Sequence, residues 1–343
     1  MDGPAEVNGG GFSSACHRRA PKSRVVREDG MTSTVLVATW RAGLFVVSGG
    51  THEQELTGHS VRALAADGHG GALAIVDGRS LCRRAPSGVW STIATAETDL
   101  ACCVAARDII YAGTDDASVL RVSATGEIER LRGLDEVAGR DKWYAGSALI
   151  DGKVMGPPLG IRSMTATSDG AVLLANVHVG GIPRSVDGGA TWQPTIDIDS
   201  DVHEVRGHPN RPGIVAAAAA VGLCTSSDGG ATWKVEQAGL HASYCSAVEF
   251  AGDDILVAAS DGHFAPHGAI YRRGVDESGP LVRVKGGLPE SLDGIADTGL
   301  IAANGSAVAV ADQKGNLHAS ADNGRTWSRR AEGIPYPSCI LII

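Results

Sequence analysis

The sequence predicts an all-β protein, a seven-bladed β-propeller with its C-terminal strand paired to its N-terminal blade. Three observations support this prediction: an eight-residue phrase that occurs three times, the spacing of its copies, and incomplete strand sets at the two chain ends. Repetition with a period of about 40 residues is typical of propellers, in which each repeat forms one four-stranded blade. The copies are Ser185–Trp192, Ser226–Trp233 and Ser320–Trp327.

The repeated phrase reads Ser-x-Asp-x-Gly-x-Thr-Trp, and its residue types suit a tight turn between two strands. The aspartate, Asp187 in the first copy, can accept hydrogen bonds from backbone N–H groups of the turn. The glycine, Gly189, tolerates the positive φ that such a turn needs. The closing Thr-Trp pair fits a half-buried strand. Each copy therefore predicts a hairpin turn fastened by its own side chains.

The spacing of the copies gives the number of blades. The first two copies lie 41 residues apart, which is one blade, and the next two lie 94 apart, which leaves room for an unmarked blade with its turn at Gly274–Gly279. Fainter strand patterns between residues 61 and 131 predict two more blades. Before them stand only three strands, Thr34–Thr39, Leu44–Val47 and Glu53–Leu56, and the missing fourth is Cys339–Ile343. Closure of the ring would remove exposed sheet edges.

The phrase resembles the Asp-box, also called the bacterial neuraminidase repeat. This repeat occurs in the propellers of sialidases, xyloglucan-cleaving glycosidases, sortilin-type receptors and photosystem II assembly factors. The resemblance implies that the box joins the two outer strands of a blade, on the face away from the ligand site. The boxes themselves are therefore expected to be structural.

Composition limits the class of protein and its partners. The chain has 343 residues, enough for one large β domain over residues 33–343, preceded by a predicted flexible tail over residues 1–32. A formal charge of −9 argues against nucleic acid and anionic membranes as partners. No apolar run approaches the roughly 20 residues of a membrane span. Seven cysteines without a CxxC pair favour a cytoplasmic location.

Two kinds of loop build the functional mouth of a propeller: those from the second to the third strand of a blade, and those from one blade to the next. Six of the eleven histidines are predicted on such loops. Neutral imidazoles from adjacent blades could bind a divalent transition metal. The predicted metal ligands are His178 and His203, with His241 or His263 as the third. Nearby aspartates could complete the shell or orient a ring nitrogen.

A small polar or anionic ligand is expected beside this metal. Arg62 and Arg162 occupy matching positions at the starts of inner strands, and Arg41 lies on a mouth loop, so the three are predicted to bind its anionic group. An inserted mouth loop over residues 135–160 carries Trp143 and Tyr144, which are expected to close over the ligand.

Two alternatives remain open, and the sequence does not decide whether the protein is an enzyme. A sialidase-like glycoside hydrolase would need catalytic side chains, for which Tyr244, Asp201 and Asp261 are the main candidates, with Glu290 as a partner for the tyrosine. Further acidic candidates are Asp99, Asp116 and Asp297. The other alternative is a non-enzymatic binding or assembly propeller. The sequence predicts no oligomeric state.

Overall fold

The computed structural model describes residues 33–49, 51–144, 148–150, 153–155 and 159–343. Seven antiparallel sheets form the blades of a closed ring, which confirms the predicted seven-bladed propeller. The predicted tail over residues 1–32 lies outside the described residues. In the described part of the chain, no helix has the length and apolar character needed to cross a membrane.

In blades 2 to 7 the strands follow chain order from the central channel outward, and we call them inner, second, third and outer. Blade 2 contains the strands Val61–Ala66, Ala72–Val76, Ser80–Arg84 and Trp90–Thr95. Blade 3 contains Leu100–Ala106, Ile109–Thr114, Val119–Val122 and Ile128–Arg130. Blade 4 contains Ile161–Ala166, Leu173–Val177, Pro183–Ser185 and Gln193–Pro194. Blade 5 contains Val202–Gly207, Val215–Ala219, Gly222–Ser226 and Lys234–Glu236. Blade 6 contains Tyr244–Ala251, Asp254–Ser260, His267–Gly274 and Val282–Arg283. Blade 7 contains Ile301–Asn304, Ala307–Ala311, Leu317–Ser320 and Ser328–Ala331.

Blade 1 is built from both ends of the described chain. Its inner strand is Pro337–Ile342, followed outward by Val35–Thr39, Leu44–Ser48 and Thr51–Glu55. The inner and second strands pair antiparallel, with Val35 opposite Ile342. The predicted closure by the C-terminal strand is therefore confirmed.

The second strands form the middle layer of the blades and are apolar on both faces. Val215–Ala219 and Ala307–Ala311 are buried at every position. Because each blade packs against a neighbour on both sides, these strands read as continuous apolar runs and do not alternate between apolar and polar residues. The frequent alanines allow the sheets to approach one another closely.

The inner strands share an irregularity near the mouth. Six of the seven, within the described residues, have a one-residue shift of register close to the strand start, as in a β-bulge. A bulge reorients a side chain relative to the pleat of the strand. The extra residues are Arg62, Ala101, Arg162, His203, Ser246 and Ser338. Four of them line one cavity at the mouth of the channel: Arg62, Ala101, Arg162 and Ser338.

The three repeated phrases form equivalent turns between third and outer strands. In the first, Asp187 accepts hydrogen bonds from the backbone N–H and the hydroxyl of Thr191, and Ser185 donates to it. Gly189 has a φ of 91°. Trp192 is buried and donates its indole N–H to the carbonyl of Gly189. The backbone hydrogen bond to Asp187 and the positive φ of Gly189 are the features expected from the sequence.

The inserted loop contains regular structure of its own. Short 3₁₀ helices cover Arg132–Glu136 and Arg140–Lys142, and the strands Ala148–Ile150 and Lys153–Met155 pair as a hairpin. One further strand was not predicted: Leu292–Asp293 pairs with the third strand of blade 6.

Candidate functional site

Two histidines and one aspartate from blades 4 and 5 meet beside the channel mouth. His178 directly follows the second strand of blade 4, and His203 is the bulged residue in the inner strand of blade 5. Asp201 lies between the blades, just after the 3₁₀ helix Ile198–Ser200, with a φ of +48°. Left-handed backbone is uncommon for residues other than glycine, although aspartate tolerates it better than most. The turn places the Asp201 carboxylate between the two imidazoles.

The ligand-type atoms of these three residues converge. His178 Nε2 lies 3.4 Å from Asp201 Oδ1, and His203 Nε2 lies 3.7 Å from Asp201 Oδ2. The three residues could hold a metal ion, since their donor atoms all lie within 4.8 Å of one another. Within the described residues, Asp201 Oδ1 and His203 Nε2 are buried and have no hydrogen-bond partner. Such buried polar atoms normally have partners.

The environment of His203 fixes the nitrogen that faces the carboxylate. Its Nδ1 lies 2.6 Å from the carbonyl oxygen of Cys245, which can only accept, so Nδ1 carries the proton and donates. Nε2 therefore faces Asp201, and in the neutral imidazole it presents its lone pair to the carboxylate. A donation from the second ring nitrogen to a backbone carbonyl is the usual arrangement for a metal-binding histidine. Tyr244 packs on the same imidazole, with ring centroids 4.5 Å apart.

The charge states suit metal coordination. Burial, assisted by the positive charge of Arg162, lowers the pKa of His178 to about 4, so this imidazole is neutral at neutral pH. Burial alone would raise the pKa of Asp201, but His203, His178 and Arg162 outweigh it and hold the pKa below its ordinary value. A neutral imidazole and an ionised carboxylate are the forms that bind metals.

Arg162 contacts this cluster from the channel side. Its Nη1 lies 3.0 Å from His178 Nε2, its Nη2 donates to Asp297 at 2.9 Å, and its Nε donates to the hydroxyl of Thr298 at 2.9 Å. That hydroxyl in turn donates to the backbone carbonyl of His203. Burial would raise the pKa of Asp297, but the charge of Arg162 and a backbone N–H outweigh it and lower the pKa.

A cavity of about 230 Å³ opens beside the cluster at the channel mouth. His178 and Arg162 belong to its wall, whereas Asp201 and His203 lie behind them. Arg62 also lines the cavity and is held by Asp115 through two hydrogen bonds of 2.7 Å. The apolar part of the wall comprises Trp40, Ala101, Ile161, Leu300 and Pro337.

The structure brings together only some of the predicted site residues. His178 and His203 meet with Asp201, which was predicted as a catalytic acid and lies at a ligand position. His263 lines the cavity but is not one of the three converging groups. His241 lies at the surface and its Nδ1 pairs with the hydroxyl of Tyr271 at 2.8 Å. The third group that converges with His178 and His203 is thus the Asp201 carboxylate, and neither His241 nor His263.

Of the remaining predicted residues, Asp297 lines the cavity and the others lie outside it. Arg41 and Asp261 are exposed and do not line it. Trp143 is buried in the core between blades 3 and 4, with Arg140 stacked on its ring at 4.8 Å, and Tyr144 is exposed beside it. The expected closure over the ligand finds no support in the position of Trp143, because an apolar ring gains more from core packing than from a solvated loop.

Sequence reasoning missed Asp115 and Thr298, which hold the two cavity arginines. It also missed the bulge that aligns the inner strands, although the signal was present. In Val61-Arg62-Ala63 and Ile161-Arg162-Ser163 the arginine follows the first residue of the strand, as His203 does in the next blade. The match between Arg62 and Arg162, which was made from the sequence, therefore extends to His203.

Comparisons with known proteins support the fold. No protein-family model and no curated protein matches the chain. It is similar to a structure described as YCF48 bound to D1 peptide, with 13% identity, 74% of this chain and 78% of the other covered, and a TM-score of 0.51. It is also similar to the GH74 enzyme of Niastella koreensis, with 14% identity, 87% and 47% covered, and a TM-score of 0.54. A third similar structure is the computationally designed protein Ika8, with 12% identity, 89% of both chains covered and a TM-score of 0.55.

The chain spans about half the length of the GH74 enzyme. At these identities the similarity shows the propeller architecture and not a shared activity. The fold and the site together define the protein as a seven-bladed β-propeller with a candidate two-histidine, one-carboxylate centre at the mouth of its channel.

Proposed function

We propose that this propeller binds a divalent transition metal at His178, Asp201 and His203 and uses it to bind a polar or anionic small molecule in the mouth cavity. The observation that carries the proposal is the convergence of two imidazole nitrogens on one carboxylate, in which Asp201 Oδ1 and His203 Nε2 are buried and have no hydrogen-bond partner among the described residues. Isolated mouth histidines are commonly hydrogen-bonded loop residues, but here His203 is oriented by the Cys245 carbonyl in the manner of a ligand.

The donor set suits a borderline metal such as zinc, iron or nickel. Imidazole favours these ions over calcium or magnesium, which prefer sites made of oxygen atoms. Three protein ligands leave at least one coordination position free, as in catalytic metal sites. The cavity lies next to the cluster, so a small molecule bound there could occupy such a position.

We also propose a cytoplasmic location, which the seven cysteines without a CxxC pair favour. The identification of the repeated turns is a separate proposal. We infer that the three turns are Asp-boxes from the Ser–Asp–Thr hydrogen bonds, which are the same in all three copies. The boxes lie at the ends of third strands, away from the mouth. Their carboxylates are engaged in turn contacts, which supports a structural role.

The glycoside hydrolase alternative gains less from the site. Arg62 and Arg162 share the cavity, but each is already paired with a carboxylate, and Arg41 does not line it. A carboxylate-binding arginine triad needs cations whose donors are free. Burial also raises the pKa of Tyr244, which disfavours the phenolate form.

The binding-propeller alternative is favoured by one observation. The exposed aromatic side chains among the described residues all lie on mouth loops: Trp40, Tyr144, Phe264 and Tyr336. Aromatic residues are enriched in protein interfaces. A binding partner at this face and a metal in the channel mouth are compatible.

Elemental analysis of the full chain, purified without a His-tag, tests the proposal. We expect about one transition-metal ion per chain in the wild type, and loss of that metal in His178→Ala and His203→Ala. His241→Ala is the matched control, since His241 is also a mouth histidine but lies outside the cluster. A wild type without metal, even after incubation with Zn²⁺, would sink the proposal.

A further inference from the structure

The Arg162 guanidinium lies beside a proposed metal-ligand atom, where a bound metal ion would repel its positive charge. Its Nη1 lies 3.0 Å from His178 Nε2, the atom nearest to the Asp201 carboxylate. A guanidinium cannot lose its proton and can only donate, so the lone pair of His178 Nε2 is used by Arg162 in this arrangement. A metal ion at the same atom needs that lone pair and adds a second positive charge close to the guanidinium.

We infer that Arg162 is a switch between two partners: it covers the metal site when no ion is bound, and it binds the carboxylate of a small monoanion once a metal has taken His178. This inference rests on the proposed metal site and assigns both the order of binding and the class of ligand. The metal binds first and displaces Nη1, and the anion then bridges the metal and the displaced guanidinium.

The other contacts of Arg162 keep it in place during this exchange. Nη2 is bound to Asp297 and Nε to Thr298, on the side of the guanidinium away from His178. Only Nη1 has to change its partner. Because His178 and Arg162 both line the cavity, the freed N–H would point into the same space that the metal would reach.

A count of charges indicates a monoanion. Arg62 is balanced by Asp115, and Arg162 by Asp297. A divalent ion bound by Asp201 leaves one positive charge in excess. A carboxylate satisfies this excess and matches the planar geometry of the guanidinium. The apolar wall formed by Trp40, Leu300 and Pro337 favours an apolar body on the ligand.

Arg62 provides the matched comparison. It is the bulged residue of blade 2, as Arg162 is of blade 4, and it lines the same cavity. Its guanidinium is held by two hydrogen bonds to Asp115, and it pairs with no histidine of the described ranges. Replacing Arg62 therefore removes a cavity arginine without removing a competitor of the metal.

Calorimetric titrations of the metal-stripped full chain with Zn²⁺, and of the stripped and Zn²⁺-loaded forms with benzoate, test the inference. Because coupled ligands raise each other's affinity equally, benzoate should bind at least about tenfold more tightly to the loaded wild type than to the stripped one. Benzamide, which has the same shape without the charge, should show no such gain. Equal benzoate binding by the two forms would overturn the inference.

The variants separate this inference from the proposed function. Arg162→Met should bind Zn²⁺ roughly tenfold more tightly than wild type, because the competing donor is gone, and should lose the gain in benzoate affinity. Arg62→Met should bind Zn²⁺ as wild type does. Unchanged or weaker Zn²⁺ binding by Arg162→Met contradicts the switch while leaving the metal site intact. Absence of Zn²⁺ binding by every form contradicts the proposed function itself. If Arg162→Met does not fold, the wild-type comparison of stripped and loaded forms still decides.

Discussion

At the scale of single residues, Asp201 is the group on which the site depends. It follows a short 3₁₀ helix in left-handed backbone and faces two imidazoles, although it is not part of a strand. Residues held in sparsely populated backbone regions persist where the surrounding structure fixes them, and they are frequent at functional sites. Here the flanking helix and the bulge at His203 fix the position of the carboxylate.

Asp201→Asn should lower the affinity for Zn²⁺ at least about 100-fold, because a neutral amide of the same size is a poor ligand and carries no charge. The melting temperature should stay within a few degrees of wild type. Zn²⁺ titration calorimetry measures the affinity. Asp261→Asn, an exposed acid on another mouth loop, is the control and should bind Zn²⁺ normally. Equal affinities of the two variants would argue against Asp201 as a ligand.

At the scale of elements, the repeated turns and the inner strands contain carboxyl groups whose pKa values are shifted in opposite directions. The stability of the protein therefore depends on pH in opposite ways at these two places. In the first turn the hydroxyl and N–H of Thr191 lower the pKa of Asp187 to about 2. In the other turns slight burial opposes the shift, but equivalent hydrogen bonds outweigh it and lower the pKa of Asp228 and Asp322 to about 2.

A pKa below the unfolded value stabilises the fold above about pH 4, and this stabilisation is lost as the pH falls toward 2. Replacing Asp187, Asp228 and Asp322 together by Asn should therefore lower the free energy of unfolding at pH 7 by roughly 1 kcal/mol per turn, since the turns are exposed. The difference from wild type should shrink between pH 4 and pH 2. Urea unfolding at a series of pH values measures it; a difference independent of pH would contradict the assignment.

The inner strands contain a buried group with the opposite shift. Burial raises the pKa of Glu249 to about 7, although Arg206 lies 3.4 Å away and also pairs with Glu204. One guanidinium thus serves two carboxylates. The folded state retains the Glu249 proton to a higher pH than the unfolded state does.

Stability should therefore fall as the pH rises from about 4.5 to about 7, and stay level above. Glu249→Gln should remove this slope and be more stable than wild type at pH 8 by about 1–2 kcal/mol. Urea unfolding of both proteins from pH 5 to pH 8 measures the effect. Parallel curves for the two proteins would show that Glu249 does not titrate in this range.

At the scale of the whole molecule, the site depends on closure of the ring, because the cavity wall includes residues from both ends of the described chain. Pro337 and Ser338 belong to the closing strand and Trp40 to the loop after its partner strand. Loss of the closing strand would uncover the edge of Val35–Thr39 and remove the buried side chains of Ile340 and Ile342.

A chain that lacks residues 337–343 should melt about 10 °C or more below wild type, since several large buried side chains and a full set of strand hydrogen bonds are lost. Thermal unfolding followed by circular dichroism measures this change. A chain that lacks residues 1–32, which the sequence predicts to be a tail, should melt as wild type does. A closing strand that could be removed without effect would contradict the closed ring.

The fold was predictable because its signals are local and repeated. Three copies of one turn and the apolar strands between them are sufficient to count blades and to pair the chain ends. The site was only partly predictable. His178 and His203 follow from their mouth loops, but no pattern in the sequence shows that Asp201 faces both, or that Asp115 and Asp297 hold the arginines. Those contacts depend on how neighbouring blades are aligned, and the bulges of the inner strands shift that alignment by one residue.

The most direct test of the metal centre is anomalous diffraction from crystals of the full chain grown with Zn²⁺. The proposal predicts one anomalous peak at about 2.0–2.2 Å from His178 Nε2, His203 Nε2 and an Asp201 oxygen. Absence of a peak there, or a sole peak at His241 or His263, would contradict it.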